Sequence, residues 1–151
     1  MSQFAAHTAV SSQGDARWQA EVHRGWRIGS VANGGYLLAL VGRTLAEALN
    51  QPDPLSINAF YLAPVALGGV EVAVESLSET RSTHFASADL RQEGELKLRA
   101  TAAYTDLDKL KGPDWTNVTP PDVTSMEDVQ APAMSHLEIH QSIEMRMVQG
   151  A

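Results

Sequence analysis

The segment with the clearest chemical potential is Asn33-Gly34-Gly35, which directly precedes an apolar run with no charged side chain before Arg43. An asparagine at this point predicts a helix start, because its side chain can cap the first turn. The first N–H groups of a helix have no partner within it and lie at the positive end of its dipole. They could donate to a carbonyl oxygen that gains negative charge in a reaction. Alternatively, Asn33 is only a cap and the glycines only allow close packing.

Two further polar residues are candidates for handling a water molecule or a proton. Asn58 lies between Ile57 and Ala59 on a predicted strand, and its amide could hold a water molecule. The alternative is a polar side chain that faces solvent or a partner sheet. His84 could act as a general base, because an imidazole titrates near neutral pH. The pattern around it favours a hairpin with a solvated histidine.

The spacing His136-x-Glu138-x-His140 raises the possibility of a metal site. Leu137 and Ile139 alternate with these residues as in a strand, and two histidines four residues apart on a strand are about 13 Å apart. They are then too far apart to share an ion, so no metal is expected. The chain has no cysteine, which excludes disulfides, thiolate ligands and a cysteine nucleophile, and it has no G-x-S-x-G segment.

The hydrophobic pattern predicts the elements that position these residues. Between residues 36 and 49 the only charges are Arg43 and Glu47, four apart and so on one helical face, which predicts a helix buried on most of its surface. The prolines at 52 and 54 end it. Beyond them the pattern changes to the alternation typical of antiparallel strands with one polar face. Strands are predicted at 17–29, 55–65, 68–81, 82–95 and 96–106, with a glycine-containing hairpin turn at 92–95.

The remaining segments carry weaker signals. Residues 1–16 are small and polar and predict a loosely held lead-in. Residues 107–135 contain four prolines and little periodicity, which predicts a linker or a surface wrap. Alternation returns at 136–148 and predicts a further strand. We therefore expect an α+β domain at 1–106, a linker at 107–135 and a strand at 136–151 that belongs to a second unit, either absent or from a partner chain.

Composition limits the classes of function. The formal charge of the 151-residue chain is −7, and its eleven Lys and Arg form no basic run, so a nucleic-acid partner is not expected. No apolar run approaches the length needed to span a bilayer, and the N-terminus lacks the pattern of a signal peptide. These features predict a cytoplasmic protein without a membrane partner.

The motifs taken in order resemble one family. "NGGYLLAL" opening a helix, then "INAFYLAPV", then "VESLSETRSTHFASADLRQEGE" are similar to the acyl-CoA thioesterase II-like branch of the hot-dog fold. The resemblance extends from about Trp18 to Tyr104 and implies a long central helix packed on an antiparallel sheet. It also implies the first of two hot-dog units, since the usual member of the family is about twice this length.

The resemblance implies an acyl-CoA thioesterase that needs no cofactor and acts as a homodimer or larger homo-oligomer. The N–H of Gly35 or Tyr36 would polarise the thioester carbonyl, with Gly34 beside it and Asn33 as a cap or a water-orienting amide. Arg81 would contact a phosphate of coenzyme A, and Ser82 or Thr83 its pantetheine arm, with His84 in the same groove. The water would be activated by Asn33, Asn58, His84 or a residue of another chain.

One departure from the family supports an alternative. The family's catalytic Asp, Thr and Gln lie in the second unit. Laid over this chain, they fall near Val41–Gly42, Pro54 and Ala102, and none of the three residue types is matched. The alternative is therefore an inactive hot-dog half that binds acyl-CoA and dimerises. A hot-dog dehydratase is a third possibility, but "GGY" is not followed by the histidine-bearing helix start that such an enzyme needs.

Overall fold

The computed structural model describes residues 2–112, 115–119, 122, 124–129 and 138–146. Its central feature is one long helix beside an antiparallel sheet, which confirms the predicted α+β layout. The helices are α1 (Gln3–His7), α2 (Gly34–Leu49) and α3 (Ile139–Ser142), with 3₁₀ turns at Arg24–Trp26 and Leu107–Lys109. The strands are β1 (Val10–Gly14), β2 (Arg17–Val22), β3 (Arg27–Ile28), β4 (Val31–Ala32), β5 (Asp53–Tyr61), β6 (Gly68–Glu79), β7 (His84–Gln92) and β8 (Glu95–Thr105).

Six strands form the main sheet in the order β1-β2-β6-β7-β8-β5, and every neighbouring pair is antiparallel. The predicted turn between β7 and β8 is a two-residue hairpin in which Glu93 and Gly94 both have positive φ, at 51° and 81°. Such a turn matches the natural twist of the two strands. Strand β5 follows the helix in the chain and occupies one edge of the sheet, while β1 occupies the other.

Helix α2 packs on one face of this sheet and forms the core with it. Leu40, Val41 and Leu45 have no exposed surface. The strands beneath present mainly small and β-branched side chains, so the helix axis can approach the sheet closely. Arg43 and Glu47 lie on the outer surface of the helix and form an ion pair, as their spacing predicts. The sheet residues below the helix include Val70, Val72, Val74, Ala86, Ala88, Leu90, Leu98, Ala100 and Ala102.

The middle and end of α2 are held by specific contacts. The Tyr104 hydroxyl donates to the Gly42 carbonyl oxygen over 2.8 Å, and a Cβ on Gly42 would lie 3.3 Å from that hydroxyl. Burial raises the pKa of Tyr104 to about 12, so the hydroxyl keeps its proton at physiological pH. Asn50 ends the helix in the left-handed conformation, with φ of 50°, two residues before Pro52.

The predicted loose lead-in at residues 1–16 is wrong. Ser2 caps the short helix α1, and β1 pairs with β2 along the sheet edge. The rings of Phe4 and Trp26 meet edge to face, 5.1 Å apart. His7 stacks on His23 with their ring centroids 4.1 Å apart. The segment is thus held by strand pairing and ring contacts rather than by a periodic apolar face, which explains why the hydrophobic pattern did not indicate it.

The strand predicted at the C-terminal end is also wrong over the described part. Residues 139–142 form the helical turn α3, which packs on the 3₁₀ turn at 24–26. A helical turn brings Glu138 and Ser142 to one side, where Glu138 meets two arginines and the Ser142 hydroxyl donates to the Gly25 carbonyl oxygen over 2.9 Å. The assignment of 136–151 to a second unit remains a proposal, and residues 136, 137 and 147–151 lie outside the described residues.

Candidate active site

The first turn of α2 is capped as predicted. The Asn33 side-chain oxygen accepts a hydrogen bond from the Tyr36 N–H over 3.2 Å, and the Asn33 carbonyl accepts one from the Leu37 N–H. The N–H groups of Gly34 and Gly35 have no acceptor in the part of the chain that the structure describes. Gly35 is exposed. The helix start therefore offers these two glycine N–H groups as donors, and the Tyr36 N–H is already used by the cap.

The two glycines are explained by different neighbours. A Cβ on Gly34 would lie 3.1 Å from a ring carbon of Tyr61, whose hydroxyl also donates to the Gly34 carbonyl oxygen over 2.9 Å. Gly34 thus makes room for the Tyr61 ring, which supports the packing interpretation at this position. A Cβ on Gly35 would meet only the Asn33 side-chain oxygen, at 3.2 Å. The outer side of Gly35 is therefore open to an incoming group.

The Tyr36 side chain is part of the packing behind the helix start. It is 2% exposed, and its ring stacks on Trp26 at 5.6 Å. Its hydroxyl lies 2.6 Å from the His7 carbonyl oxygen and 3.0 Å from that of Glu21, and it accepts from the His23 N–H. Burial raises its pKa. The Tyr36 side chain is therefore buried and its N–H is used by the cap, and the contact of Tyr36 with a substrate stays a prediction.

Two loops fix the approach to the helix start. The Asn33 N–H donates to the Trp26 carbonyl oxygen over 2.8 Å, which ties α2 to the 3₁₀ turn. The loop after β5 is clamped by Gln92, whose amide exchanges hydrogen bonds of 2.9 and 3.0 Å with the Ala66 backbone. Gln92 is 9% exposed. The sequence indicates this glutamine as the first residue of a turn and as part of the family motif, but not its clamping role.

Asn58 lies on the other face of the sheet. Its neighbours Ile57 and Ala59 pair with Ala102 and Ala100, which are buried beneath α2. Because side chains alternate along a strand, Asn58 points away from the helix. Within this chain the sheet separates Asn58 from the N–H groups of Gly34 and Gly35.

The predicted groove residues lie at the opposite end of the sheet. Tyr61, which touches Gly34, pairs with Leu98, whereas His84 pairs with Tyr104, six residues further along β8. Six residues of strand correspond to about 20 Å. In one chain, Arg81, Ser82, Thr83 and His84 are therefore not brought beside the helix start.

The segment that contains these residues is an ordered turn. Thr80 and Thr83 are joined by backbone and side-chain hydrogen bonds, and the buried Thr105 hydroxyl donates to the Ser82 carbonyl oxygen over 2.5 Å. A nitrogen of His84 lies 2.8 Å from the Ser76 hydroxyl. Arg81 is exposed and makes no ion pair with any described residue. It therefore remains available to an anion at this end of the sheet.

Glu138, the middle residue of the His136-x-Glu138-x-His140 spacing, forms ion pairs. Its carboxylate contacts the guanidinium groups of Arg24 and Arg27. His136 lies outside the described residues, so the histidine pair is not placed. No group of three or more His, Asp or Glu side chains suited to a metal ion occurs in the described part of the chain. None of the helices in that part is long and apolar enough to cross a membrane.

Comparison with known proteins agrees with this architecture. The profile of the acyl-CoA thioesterase N-terminal domain family matches residues 22–105, and no curated protein matches the sequence. A Thermobifida fusca YX protein assigned as a thioesterase II shares 28% identity with a TM-score of 0.79, over 91% of this chain and 52% of its own. A hot-dog protein of unknown function from Alicyclobacillus acidocaldarius shares 22% identity with a TM-score of 0.81, over 100% of this chain and 57% of its own. The chain thus has the hot-dog fold and spans about half the length of these structures.

Proposed function

Because the chain belongs to the acyl-CoA thioesterase N-terminal domain family, we propose that it is a hot-dog unit that hydrolyses acyl-CoA thioesters. In this reaction a water oxygen attacks the thioester carbonyl carbon, the carbon–sulfur bond breaks, and a carboxylic acid and the free thiol of coenzyme A leave. No cofactor enters the proposal. The observation that supports it best is the exposed helix start, where two N–H groups remain without an acceptor among the described residues.

Gly35 is the proposed donor to the thioester oxygen. Its N–H lies at the positive end of a 16-residue helix, and its missing side chain leaves an open approach. A fixed donor favours the transition state, in which the oxygen carries negative charge, and losing one such donor typically slows turnover by about 10²–10³-fold. Gly34 lies beside it but is partly covered by Tyr61. Asn33 positions both donors by capping the turn.

A second hot-dog unit would supply the group that activates water. The resemblance puts the family's catalytic side chains near positions whose residues cannot accept a proton. These residues are Val41, Gly42, Pro54 and Ala102. The Arg81–His84 turn lies about 20 Å along the sheet from the helix start. In an assembly, that turn of one unit could complete the groove at the helix start of another, with Arg81 on a phosphate of coenzyme A.

Strand β5 is the proposed contact between units. Among the described residues it has a strand partner on one side only, so it is a sheet edge, and large apolar side chains are exposed on it and just after it. Leu55 is 48% exposed, Phe60 69%, Tyr61 52% and Leu62 55%. We propose that β5 pairs with a second copy of the chain, or with a second hot-dog unit of the same protein, and that the protein acts in the cytoplasm.

Hydrolysis is tested by incubating the purified chain with butyryl-CoA and palmitoyl-CoA and detecting the free thiol. Release of coenzyme A above the blank is expected for one of them. No release from either thioester would contradict hydrolysis by this chain alone. The inactive binding half, which the missing catalytic side chains favour, would then be supported if coenzyme A thioesters still bind in equilibrium dialysis.

The assembly is tested by sedimentation velocity on Phe60→Glu, with Leu77→Glu as a matched control. Leu77 is also a large exposed apolar residue, at 54%, but it lies on β6, which is not adjacent to β5 in the sheet. Phe60→Glu should shift the chain to a monomer, because it places a charge at the edge, while Leu77→Glu should not. Equal sedimentation of both variants and the parent chain would contradict pairing through β5.

A further inference from the structure

Two arginines lie next to the start of α2. Arg24 is the first residue of the 3₁₀ turn and Arg27 follows it, and Arg27 pairs with Ala32 in the β3–β4 ladder. Ala32 immediately precedes the capping residue Asn33, whose N–H donates to the carbonyl oxygen of Trp26. The backbone of Arg27 is therefore about 5 Å from the residue before the helix cap. The side chain of Arg27 thus starts from backbone that lies close to the start of α2.

Both guanidinium groups converge on one carboxylate. Arg24 contacts a Glu138 oxygen over 2.7 Å, and Arg27 reaches both oxygens, one of them over 3.0 Å. Glu138 comes from a part of the chain more than a hundred residues away. These bonds lower the pKa of Glu138, Arg27 contributing most, so it is ionised at neutral pH. The pair of arginines already binds an oxyanion in the geometry that guanidinium groups prefer.

In the part of the chain that the structure describes, the segment that carries Glu138 is also attached through Ser142 and through Ile139, which belongs to the hydrophobic core. The Ser142 hydroxyl donates to the Gly25 carbonyl oxygen, and Ile139 is buried. A Cβ on Gly25 would lie 2.7 Å from the Ser142 oxygen, so the glycine provides the space in which the segment docks. Arg24 remains largely exposed in the docked form, with 72% of its side chain accessible. The Arg24–Glu138 pair is therefore weak, and a competing anion can first replace the carboxylate there, whereas Arg27 and Glu138 are each only 25% exposed.

We propose that Arg24 and Arg27 form an anion site of the thioesterase, and that Glu138 occupies this site until an anionic group of the thioester displaces it. The inference rests on the proposed function for the identity of the ligand. The chemistry is an oxyanion on the substrate, either a carboxylate at the far end of the acyl chain or a phosphate of coenzyme A. The segment 138–142 then acts as an exchangeable strap over the 3₁₀ turn.

The test measures binding by calorimetry rather than turnover, so it can be read in a chain that does not hydrolyse. The ligands are butyryl-CoA, glutaryl-CoA, which adds a terminal carboxylate, and butyryl-pantetheine, which lacks the phosphates. Glu138→Gln should tighten binding roughly fivefold, the effect of one exposed charge pair. If Glu138→Gln binds only glutaryl-CoA more tightly, the site is assigned to the acyl carboxylate. If it binds both CoA thioesters more tightly but not butyryl-pantetheine, the site is assigned to a phosphate of coenzyme A.

The controls separate competition from damage to the fold. Glu144→Gln removes a carboxylate just after the segment 138–142, which among the described residues pairs with Arg146, and it should leave binding unchanged. Ser142→Ala removes the hydrogen bond to Gly25 and so loosens the strap while keeping Glu138, and it should increase the binding affinity by less than Glu138→Gln does. Adding Arg24→Gln to Glu138→Gln should cancel the gain.

Unchanged or weaker binding by Glu138→Gln would overturn the anion site, even if the parent chain hydrolyses thioesters. The same holds for an equal gain with butyryl-pantetheine, because that ligand carries no anion. Conversely, tighter binding by Glu138→Gln in a chain without turnover would support the anion site and contradict hydrolysis by this chain alone. The two proposals can therefore fail separately.

Discussion

Replacing Asn33 with alanine should lower the free energy of unfolding by the amount that one helix cap contributes. The Asn33 side-chain oxygen is the acceptor for the Tyr36 N–H, at 3.2 Å, and alanine leaves that half-buried N–H without it. Loss of an asparagine cap costs about 1 kcal/mol of free energy of unfolding. With a urea slope of about 2 kcal/mol per molar, the unfolding midpoint should fall by about 0.5 M. The melting temperature should fall by about 3–6 °C.

Asn33→Ser is the matched variant for this measurement. A serine hydroxyl can also accept from the Tyr36 N–H, so most of the stability should return. Circular dichroism at 222 nm, a standard wavelength for helix content, follows the urea transition of all three proteins. If the alanine and serine variants unfold at the same urea concentration as the parent chain, the cap contributes nothing and the positioning role of Asn33 is refuted.

Three other perturbations follow from single contacts. Tyr61→Phe removes the hydroxyl that donates to Gly34 and should cost at most about 1 kcal/mol in urea unfolding, because the ring is half exposed. Gln92→Leu removes both hydrogen bonds of a buried amide to the Ala66 backbone and should cost about 2–3 kcal/mol in the same assay; a loss under 0.5 kcal/mol would refute the clamp. Burial and the adjacent His7 lower the pKa of His23 below 6.5, so the unfolded chain binds this proton more readily. The contribution of His23 to the free energy of unfolding should be complete above about pH 6.5 and decrease as the pH falls below it. His23→Gln should reduce this loss of stability between about pH 7.5 and 5.5. An unchanged loss would contradict the assignment of this pH dependence to His23.

The central helix and the strands after it could be predicted because their hydrophobic periods are strong. Fourteen residues with two charges on one face specify a buried helix, and alternating valines and alanines specify the sheet beneath it. The N-terminal segment could not be predicted in this way. Helix α1 has only five residues, and it is held by contacts of Phe4 and His7 with rings far along the chain. Local periodicity carries no information about such contacts.

The candidate site was predictable where it depends on neighbours in the chain. Asn33 caps the turn three residues later, and the motif predicts this directly. The hydrogen bonds of the Tyr36 hydroxyl to the His7 and Glu21 carbonyl oxygens depend on tertiary packing, so the sequence does not predict them. For Asn58 a signal existed, because its apolar neighbours face the core and a side chain between them must face outward.

The C-terminal segment shows the limit of short patterns. Alternation around Ile139 is consistent with a strand and equally with a single helical turn. The docking of Glu138 on Arg24 and Arg27 favours the turn, because it brings Glu138 and Ser142 to the same side. Ion pairs between residues more than a hundred positions apart cannot be predicted from local sequence patterns.

The most direct test of the central claim is the response of the Gly35 amide to a bound thioester analogue. The analogue is a butyryl-CoA ketone in which a methylene group replaces the sulfur, so it presents the carbonyl oxygen but cannot be hydrolysed. In ¹H–¹⁵N correlation spectra, the Gly35 N–H should move downfield on titration, since it forms a new hydrogen bond, while Tyr36, held by the cap, should move little. Binding that shifts other amides and leaves those of Gly34 and Gly35 unchanged would contradict the account.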